Sequence, residues 1–266
     1  MSIKIAVLAK QVVDPDMPPS AFKIDETLKQ VTTPSTIPPV VNGFDENAVE
    51  AALILKDALQ ATVTVISSGT GFALDVMKKP LSMGADELVL LDDEAFSNTI
   101  DTFSIATILA SSIEKLGGFD LIICGRQASD WDNAQLPLGL AELLNMPCIT
   151  LGKKVDIIDD KVRVERVTSE GYEIIEGSLP CVVTVSNELG QPRYPTLRGI
   201  MAATRKKPTV WNTGDLELDP DKLIPKVQLR DLFVPVNTQE CEFIEGEDEV
   251  DAAKNLALRL REEKLI

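Results

Sequence analysis

Short β-rich runs alternate with longer helical patterns through the first two thirds of the chain, an order that predicts a parallel sheet whose strands are joined by crossover helices. The strand candidates are Ile3 to Leu8, Thr62 to Ser67, Glu87 to Leu91, Leu121 to Cys124 and Cys148 to Leu151. Between them, Glu46 to Leu59 sets Val49, Ala52, Leu53 and Leu59 at helical spacing, and Ile100 to Leu116 does the same with Phe103, Ala106, Leu109 and Ile113. Two shorter helices are expected, over Phe72 to Met83 and from Pro137 to Leu144, where proline suits the first turn. With 266 residues, 44% of them apolar, the chain has enough material for a substantial α/β core.

The connection from Val12 to Asn42 carries Pro15, Pro18, Pro19, Pro34, Pro38 and Pro39, so an extended excursion or irregular hairpin is expected there instead of a crossover helix. After Leu151 the periodicity changes. Lys153 to Ile158, Lys161 to Thr168, Gly171 to Ser178 and Cys181 to Val185 read as antiparallel strands, with Asp159-Asp160 as a turn between the first two. Beyond Pro208 the chain is punctuated by Pro220, Pro225 and Pro235 until Asp248 to Lys264, an amphipathic helix with Val250, Ala253, Leu256, Ala257 and Leu260 on one face. The predicted organisation is an α/β domain over residues 1–208 and a C-terminal arm with a helix over residues 209–266. Patterning alone leaves that helix two fates, packing on its own domain or docking elsewhere, and favours the first.

Lysine and arginine number 26 against 42 aspartates and glutamates, a net charge of −16, and there is no histidine. So acidic a chain is a poor match for nucleic acid, whose phosphates need clustered positive charge. The absence of histidine removes every Ser-His-Asp or Cys-His mechanism. Cys124, Cys148, Cys181 and Cys241 are widely spaced and form no CxxC pair, so no metal site is expected. They follow no secretory signal pattern, which predicts reduced thiols in a cytoplasmic protein. No apolar run reaches membrane-spanning length. A chain with so few reactive groups is expected to borrow its chemistry from a cofactor.

Ligands of an open parallel sheet collect beyond the carboxyl ends of its strands. Those ends carry Ala9-Lys10-Gln11, Ser67-Ser68-Gly69-Thr70-Gly71, Leu91-Asp92-Asp93 and Gly125-Arg126-Gln127-Ala128-Ser129-Asp130. Small residues there let a backbone approach a ligand, and helix amino ends offer NH groups to phosphate. Neither a GxGxxG nor a P-loop pattern is present. Taken singly, Asp45 reads as an N-cap or a ligand, and Arg126 as the partner of a phosphate or of a neighbouring carboxylate. Their joint placement favours a nucleotide. Asn187 to Lys207 is apolar and basic in an acidic chain, with Arg193, Arg198, Arg205, Lys206 and Lys207. It is either a solvated loop leading into a basic helix end or a hydrophobic anchor, Leu197, with a charged rim.

The segments IAVLAKQVVD, NGFDENAVEAALILK, VISSG, LSMGADELVLL, LIICGRQASDWDNAQ and QPRYPTLRGIMAATRKKP follow one another from the first strand to Pro208. On these segments the chain resembles the beta subunit of electron transfer flavoprotein, including its FixA-like members, and PRYPTLRGIM is specific to that family. The resemblance implies a heterodimer in which a larger alpha subunit carries the redox-active FAD and the beta subunit holds a second adenine nucleotide. That nucleotide is structural AMP in single-flavin members and a second FAD, reduced by NADH, in bifurcating ones. GRQASDWD and Asp45-Glu46-Asn47 look closer to bacterial members proposed to bifurcate, so FAD is the first expectation and AMP the alternative.

Carried over by motif, the nucleotide site falls on Leu8, Ala9 and Lys10, on Asn42, Phe44 and Asp45, on Ser68, and on Asp130, Trp131, Asp132, Asn133, Ala134 and Gln135. The strand-end reading adds Ser67, Gly69, Gly125, Arg126, Gln127 and Ala128, with Arg126 as the candidate beside the flavin ring. At Gln135-Leu136-Pro137 the chain departs from the family's Gln-Val-Gly or Gln-Thr-Gly, and proline has no NH to give a phosphate. No residue is expected to be catalytic in its own right, because the flavin does the hydride chemistry. Leu197 matches the family's recognition-loop leucine, which enters a pocket on an acyl-CoA dehydrogenase-like or other flavin dehydrogenase. Tyr194, Pro195, Thr196, Arg198, Ile200 and Met201 surround it. The arm after Pro208 is expected, by the same resemblance, to reach the alpha subunit. The rival from another class is a nucleotide-hydrolysing or adenylating enzyme on a similar sheet, but Ser67-Ser68-Gly69-Thr70-Gly71 lacks the aspartate and double glycine of the SGGxDS loop it needs.

Overall fold

The computed structural model describes residues 2–96, 101–236 and 241–266. Strands β1 (Lys4–Leu8), β2 (Gln11–Val12), β3 (Lys23–Asp25), β4 (Gln30–Thr32) and β5 (Val40–Val41) precede helix α1 (Gly43–Leu59). Next come β6 (Thr62–Gly69), the short helices α2 (Leu74–Met77) and α3 (Lys79–Met83), β7 (Glu87–Asp92), α4 (Thr102–Lys115), β8 (Leu121–Gly125) and α5 (Leu136–Leu143). Strands β9 (Cys148–Ile158), β10 (Lys161–Thr168), β11 (Gly171–Ser178) and β12 (Cys181–Val185) follow, then α6 (Leu197–Arg205), β13 (Thr209–Trp211) and α7 (Glu249–Glu262).

Among the described residues, nine strands form one sheet in the order β11-β10-β9-β12-β8-β1-β6-β7-β13. Neighbours run parallel from β9 to β13, while β9, β10 and β11 form an antiparallel extension. This is the expected α/β architecture. In β1, Ile5 and Val7 face one core and Ala6 and Leu8 the other, so the strand reads as a continuous apolar run. Val49, Ala52 and Leu53 of α1 cover the first face; Ala106, Leu109 and Ile113 of α4 and Leu140 of α5 cover the second. Leu59 and Phe103, expected on those faces, are exposed in the terminal turns of their helices. Ile100, where the α4 pattern was expected to start, lies outside the described residues; Asp101 caps that helix by accepting the Phe103 NH.

The helix expected over Phe72 to Met83 breaks into α2 and α3, because Pro80 has no NH to bond the carbonyl one turn back. Cys148 to Leu151 and Lys153 to Ile158, expected as two strands, are one. Leu151 takes a left-handed φ of 61° and donates its NH to the Thr184 hydroxyl, so β9 bulges without ending. Cys181 to Val185, expected to run antiparallel, is instead a parallel central strand between β9 and β8. All five of its residues are buried, and CVVTV, apolar but for Thr184, is the near-continuous run of a strand covered on both faces. No sequence pattern marks β13, which extends the sheet beside β7 and brings Trp211 onto the second core.

The stretch between Val12 and Asn42 is the expected irregular hairpin, with β2 paired to β5 and β3 to β4. Asp159 and Asp160 turn β9 into β10 with both residues left-handed, at φ 50° and 58°. The chain forms two compact units, the first ending at Asp231 and the second being Leu232–Ile266. The first runs past Pro208 because β13 belongs to its sheet. In the second, Asp248 caps α7 by accepting the Asp251 NH at 2.8 Å, and Arg259 pairs with Glu242 at 3.0 Å.

Candidate functional site

A crevice opens beyond the carboxyl ends of β1, β6 and β8, enclosing about 860 Å³ of free space, its mouth included. Leu8, Ala9 and Lys10 come from the end of β1, Ile66 and Ser68 from β6, and Cys124, Gly125 and Arg126 from β8. Thr102, Ile105 and Leu109 of α4 form a largely apolar wall, and Asp45 of α1, the loop from Arg126 to Gln135 and the start of α5 supply the rest. The mix of apolar walls with few polar groups suits an organic ligand.

Asp45 sits where β1, β8 and α1 meet. Its carboxylate accepts the Lys10 NH at 2.8 Å. A Cβ on Gly125 would lie 2.3 Å from Asp45 Oδ1 and 2.7 Å from the Phe44 carbonyl carbon, so only glycine lets β8 end this close to α1. Burial pushes the Asp45 carboxyl up to about 7, against hydrogen bonds from Lys10, Asn42 and Gly125 that favour its charged form. Burial likewise pushes the Cys124 thiol well above its ordinary value, which makes it unreactive.

The loop after β8 is held from behind. Asn42 donates its side-chain NH to the Gln127 carbonyl at 2.8 Å and accepts the Ser129 NH at 3.2 Å. Asp132 and Ala134 adopt left-handed φ values of 49° and 53°, and Gln127 donates to Asp132 at 2.7 Å. Lys10 pairs with Asp130 at 2.7 Å. The Arg126 guanidinium lies over the Phe44 ring at 4.9 Å, and its buried Nε has no hydrogen-bond partner in the protein. Glu188 stands near; its carboxyl is held below the ordinary value chiefly by the Ser186 hydroxyl, with a smaller part from Arg126.

Of the residues expected at a nucleotide, Leu8, Ala9, Lys10, Asp45, Ser68, Gly125, Arg126, Gln127, Ala128, Trp131, Asn133, Ala134 and Gln135 line this one crevice. Asn42, Phe44, Asp130 and Asp132 stand one layer back, bracing the loop, Lys10 and Arg126. Ser67 points to the opposite face of β6 and is buried with an unpartnered hydroxyl, and Gly69 lies at the strand's end against Phe72. Sequence reasoning missed the α4 wall, since Leu109 read as a core position at helical spacing and Thr102 and Ile105 carried no signal of their own.

The segment expected to dock a partner is presented outward. Thr196 caps α6 by accepting the Gly199 NH at 3.0 Å, and a Cβ on Gly199 would fall 2.2 Å from the Ser82 carbonyl oxygen, so α6 lies directly on α3. Tyr194 and Leu197 are 88% and 76% exposed, and Ile200 and Met201 are exposed beside them. Not all of the basic residues remain for a rim. Lys206 donates to the Ala85 and Asp86 carbonyls, and Arg193 is paired with α1, which leaves Arg198, Arg205 and Lys207. Among the described residues no group of acidic, cysteine or histidine side chains has metal-holding geometry, and no helix is long and apolar enough to cross a membrane.

An open, mainly parallel sheet with a crevice beyond its strand ends places the chain among the α/β proteins, and an outward apolar loop is added to the same body. The model of the electron transfer flavoprotein domain matches residues 34–216. The chain is 37% identical over 268 residues to the caffeyl-CoA reductase–Etf complex subunit CarD of Acetobacterium woodii, covering 99% of this chain and 100% of that one. It is 40% identical over 222 residues to the electron transfer flavoprotein subunit beta of Thermoanaerobacterium thermosaccharolyticum, 83% of each chain. With the beta subunit of Clostridium acetobutylicum it shares 34% identity over 270 residues, covering 99% of this chain and 100% of that one. The chain belongs to the electron transfer flavoprotein family and is a beta subunit of it.

Proposed function

We propose that this beta subunit holds FAD in the strand-end crevice, works in a heterodimer with an electron transfer flavoprotein alpha subunit, and serves NADH-dependent electron bifurcation. Electrons pass to or from an acyl-CoA dehydrogenase-like or other flavin dehydrogenase that docks at Leu197, and of the arm expected after Pro208 the part beyond Asp231 reaches the alpha subunit. The setting is cytoplasmic, in keeping with four free cysteines.

The observation that carries this reading is Arg126, a crevice-lining cation whose buried Nε lacks a protein partner. Such a group fits an anionic ligand. The remaining donor set fits a flavin nucleotide as well: Lys10 lines the crevice with its ammonium held by Asp130; Ser68, Asn133 and Gln135 bring polar groups; and Ile66, Ile105 and Leu109 offer apolar walls to a ring system. FAD, when bound, supplies the hydride acceptance and electron release that no side chain of this chain performs. The chain's own part is to orient, to exclude water and to tune. Arg126 favours negative charge on a bound group, Asp45 and Gly125 hold α1 close against the ends of β1 and β8, and the Asn42 clamp preorganises the loop from Gln127 to Ser129.

Purifying the heterodimer and releasing its nucleotides tests the proposal. Two FAD per heterodimer, bleached by NADH, supports it; one FAD with one AMP removes bifurcation and leaves a single-flavin carrier.

A further inference from the structure

We infer that Arg193, clamped by Glu50 of α1, is a positioning residue that sets the direction in which Leu197 is presented. This rests on the docking reading above and deepens it.

Leu197 is exposed, so its own packing does not hold it. The chain from β12 to α6 has no strand to fix it; α6 itself rests on α3, and the approach to it is tied to α1. Asn47 donates to the Gly190 carbonyl at 2.8 Å. Three residues on, Glu50 accepts the backbone NH of Arg193 at 2.9 Å, and its two oxygens also take Nε and Nη2 at 2.9 and 3.0 Å. Nη1 reaches Asp57 at 2.9 Å. Asn47 and Glu50 are 4% and 8% exposed. A carboxylate so buried is tolerated only with a matched cation, and the planar fork of arginine fixes direction as well as charge. Pro192 and Pro195 restrict the backbone on either side, so the four-residue step from Arg193 to Leu197 behaves as a stiff lever. An arginine that reads in sequence as part of a charged rim is engaged instead by Glu50 and Asp57 of α1, holding the loop.

The test uses the intact heterodimer as electron acceptor, with butyryl-CoA dehydrogenase reduced by butyryl-CoA as the probe. Arg193→Gln is expected to raise the KM for the heterodimer about tenfold, with kcat at saturation within about twofold and nucleotide content unchanged. Arg193→Lys keeps a charge against Glu50 and so folds; lacking the fork, it is expected to raise KM about threefold. In a Leu197→Ala background, Arg193→Gln is expected to add less than about twofold, because its effect runs through the leucine. Effects that multiply fully in the double variant overturn the assignment. So does a wild-type KM in both Arg193 variants when Leu197→Ala alone raises it, and that outcome spares the docking reading. A wild-type KM in Leu197→Ala sinks the docking reading and the lever with it.

Discussion

Asp45 accepts the backbone NH of Lys10 at 2.8 Å, so one buried carboxylate ties the end of β1 to the first turn of α1 at the crevice. Burial raises its pKa from 3.8 to about 7. The folded state therefore holds this proton more tightly than the unfolded chain. Its contribution to stability falls as pH climbs from about 4 to about 7 and is level above that, costing about 4 kcal/mol at most. Asp45→Asn, which stays neutral, is expected to flatten this dependence and to melt several degrees above wild type at pH 8. Thermal melts across pH 5 to 8 check it, and a variant with the wild-type slope contradicts it.

Gly125→Ala places a methyl against Asp45 Oδ1 and the Phe44 backbone, at 2.3 and 2.7 Å, and neither can swing away as a flexible side chain does. The expected cost is about 1–3 kcal/mol, with weakened nucleotide retention, because α1 must draw back from β8. Melting temperature and nucleotide content after gel filtration report it. Unchanged values would mean that the close approach has no bearing on the crevice.

Arg126→Ala removes the crevice cation with the unpartnered Nε. A lower potential for the flavin bound here is expected, since positive charge beside a flavin favours its reduced, anionic form. Redox titration of the heterodimer measures this. An unchanged curve takes Arg126 away from the flavin and leaves it to Glu188.

Leu197→Ala is expected to slow electron delivery to a partner dehydrogenase at low concentration by roughly 10- to 100-fold, the equivalent of about 1.5–3 kcal/mol of lost apolar burial. Nucleotide content and melting temperature are expected to hold, because the side chain is 76% exposed in this subunit. Normal transfer rates refute the docking role.

Much of the fold was legible because buried parallel strands and amphipathic helices write their periods into the sequence. β1, β6, β7 and β8 fall where apolar runs lie, and α1 and α4 where apolar residues recur at helical spacing. The strand-end crevice was legible for the same reason, since strand order in an open sheet dictates where its loops converge. The failures are equally specific. Cys181 to Val185 follows two hairpin strands in sequence but inserts between β9 and β8, a choice made by burial on both faces. Leu151 continues β9 through a left-handed residue because the Thr184 hydroxyl is there to take its NH.

Residue order alone carried the α/β class, the polar strand ends, the lack of histidine chemistry and the resemblance that family membership bears out. Which polar groups face the crevice and which brace it emerges from the packed fold. It turned Asn42 toward the Gln127 loop, left Arg126 Nε without a protein partner, and spent Arg193 on Glu50. The physical reason is that period and propensity act along the chain, whereas a hydrogen-bond partner 85 or 143 residues away is chosen by packing.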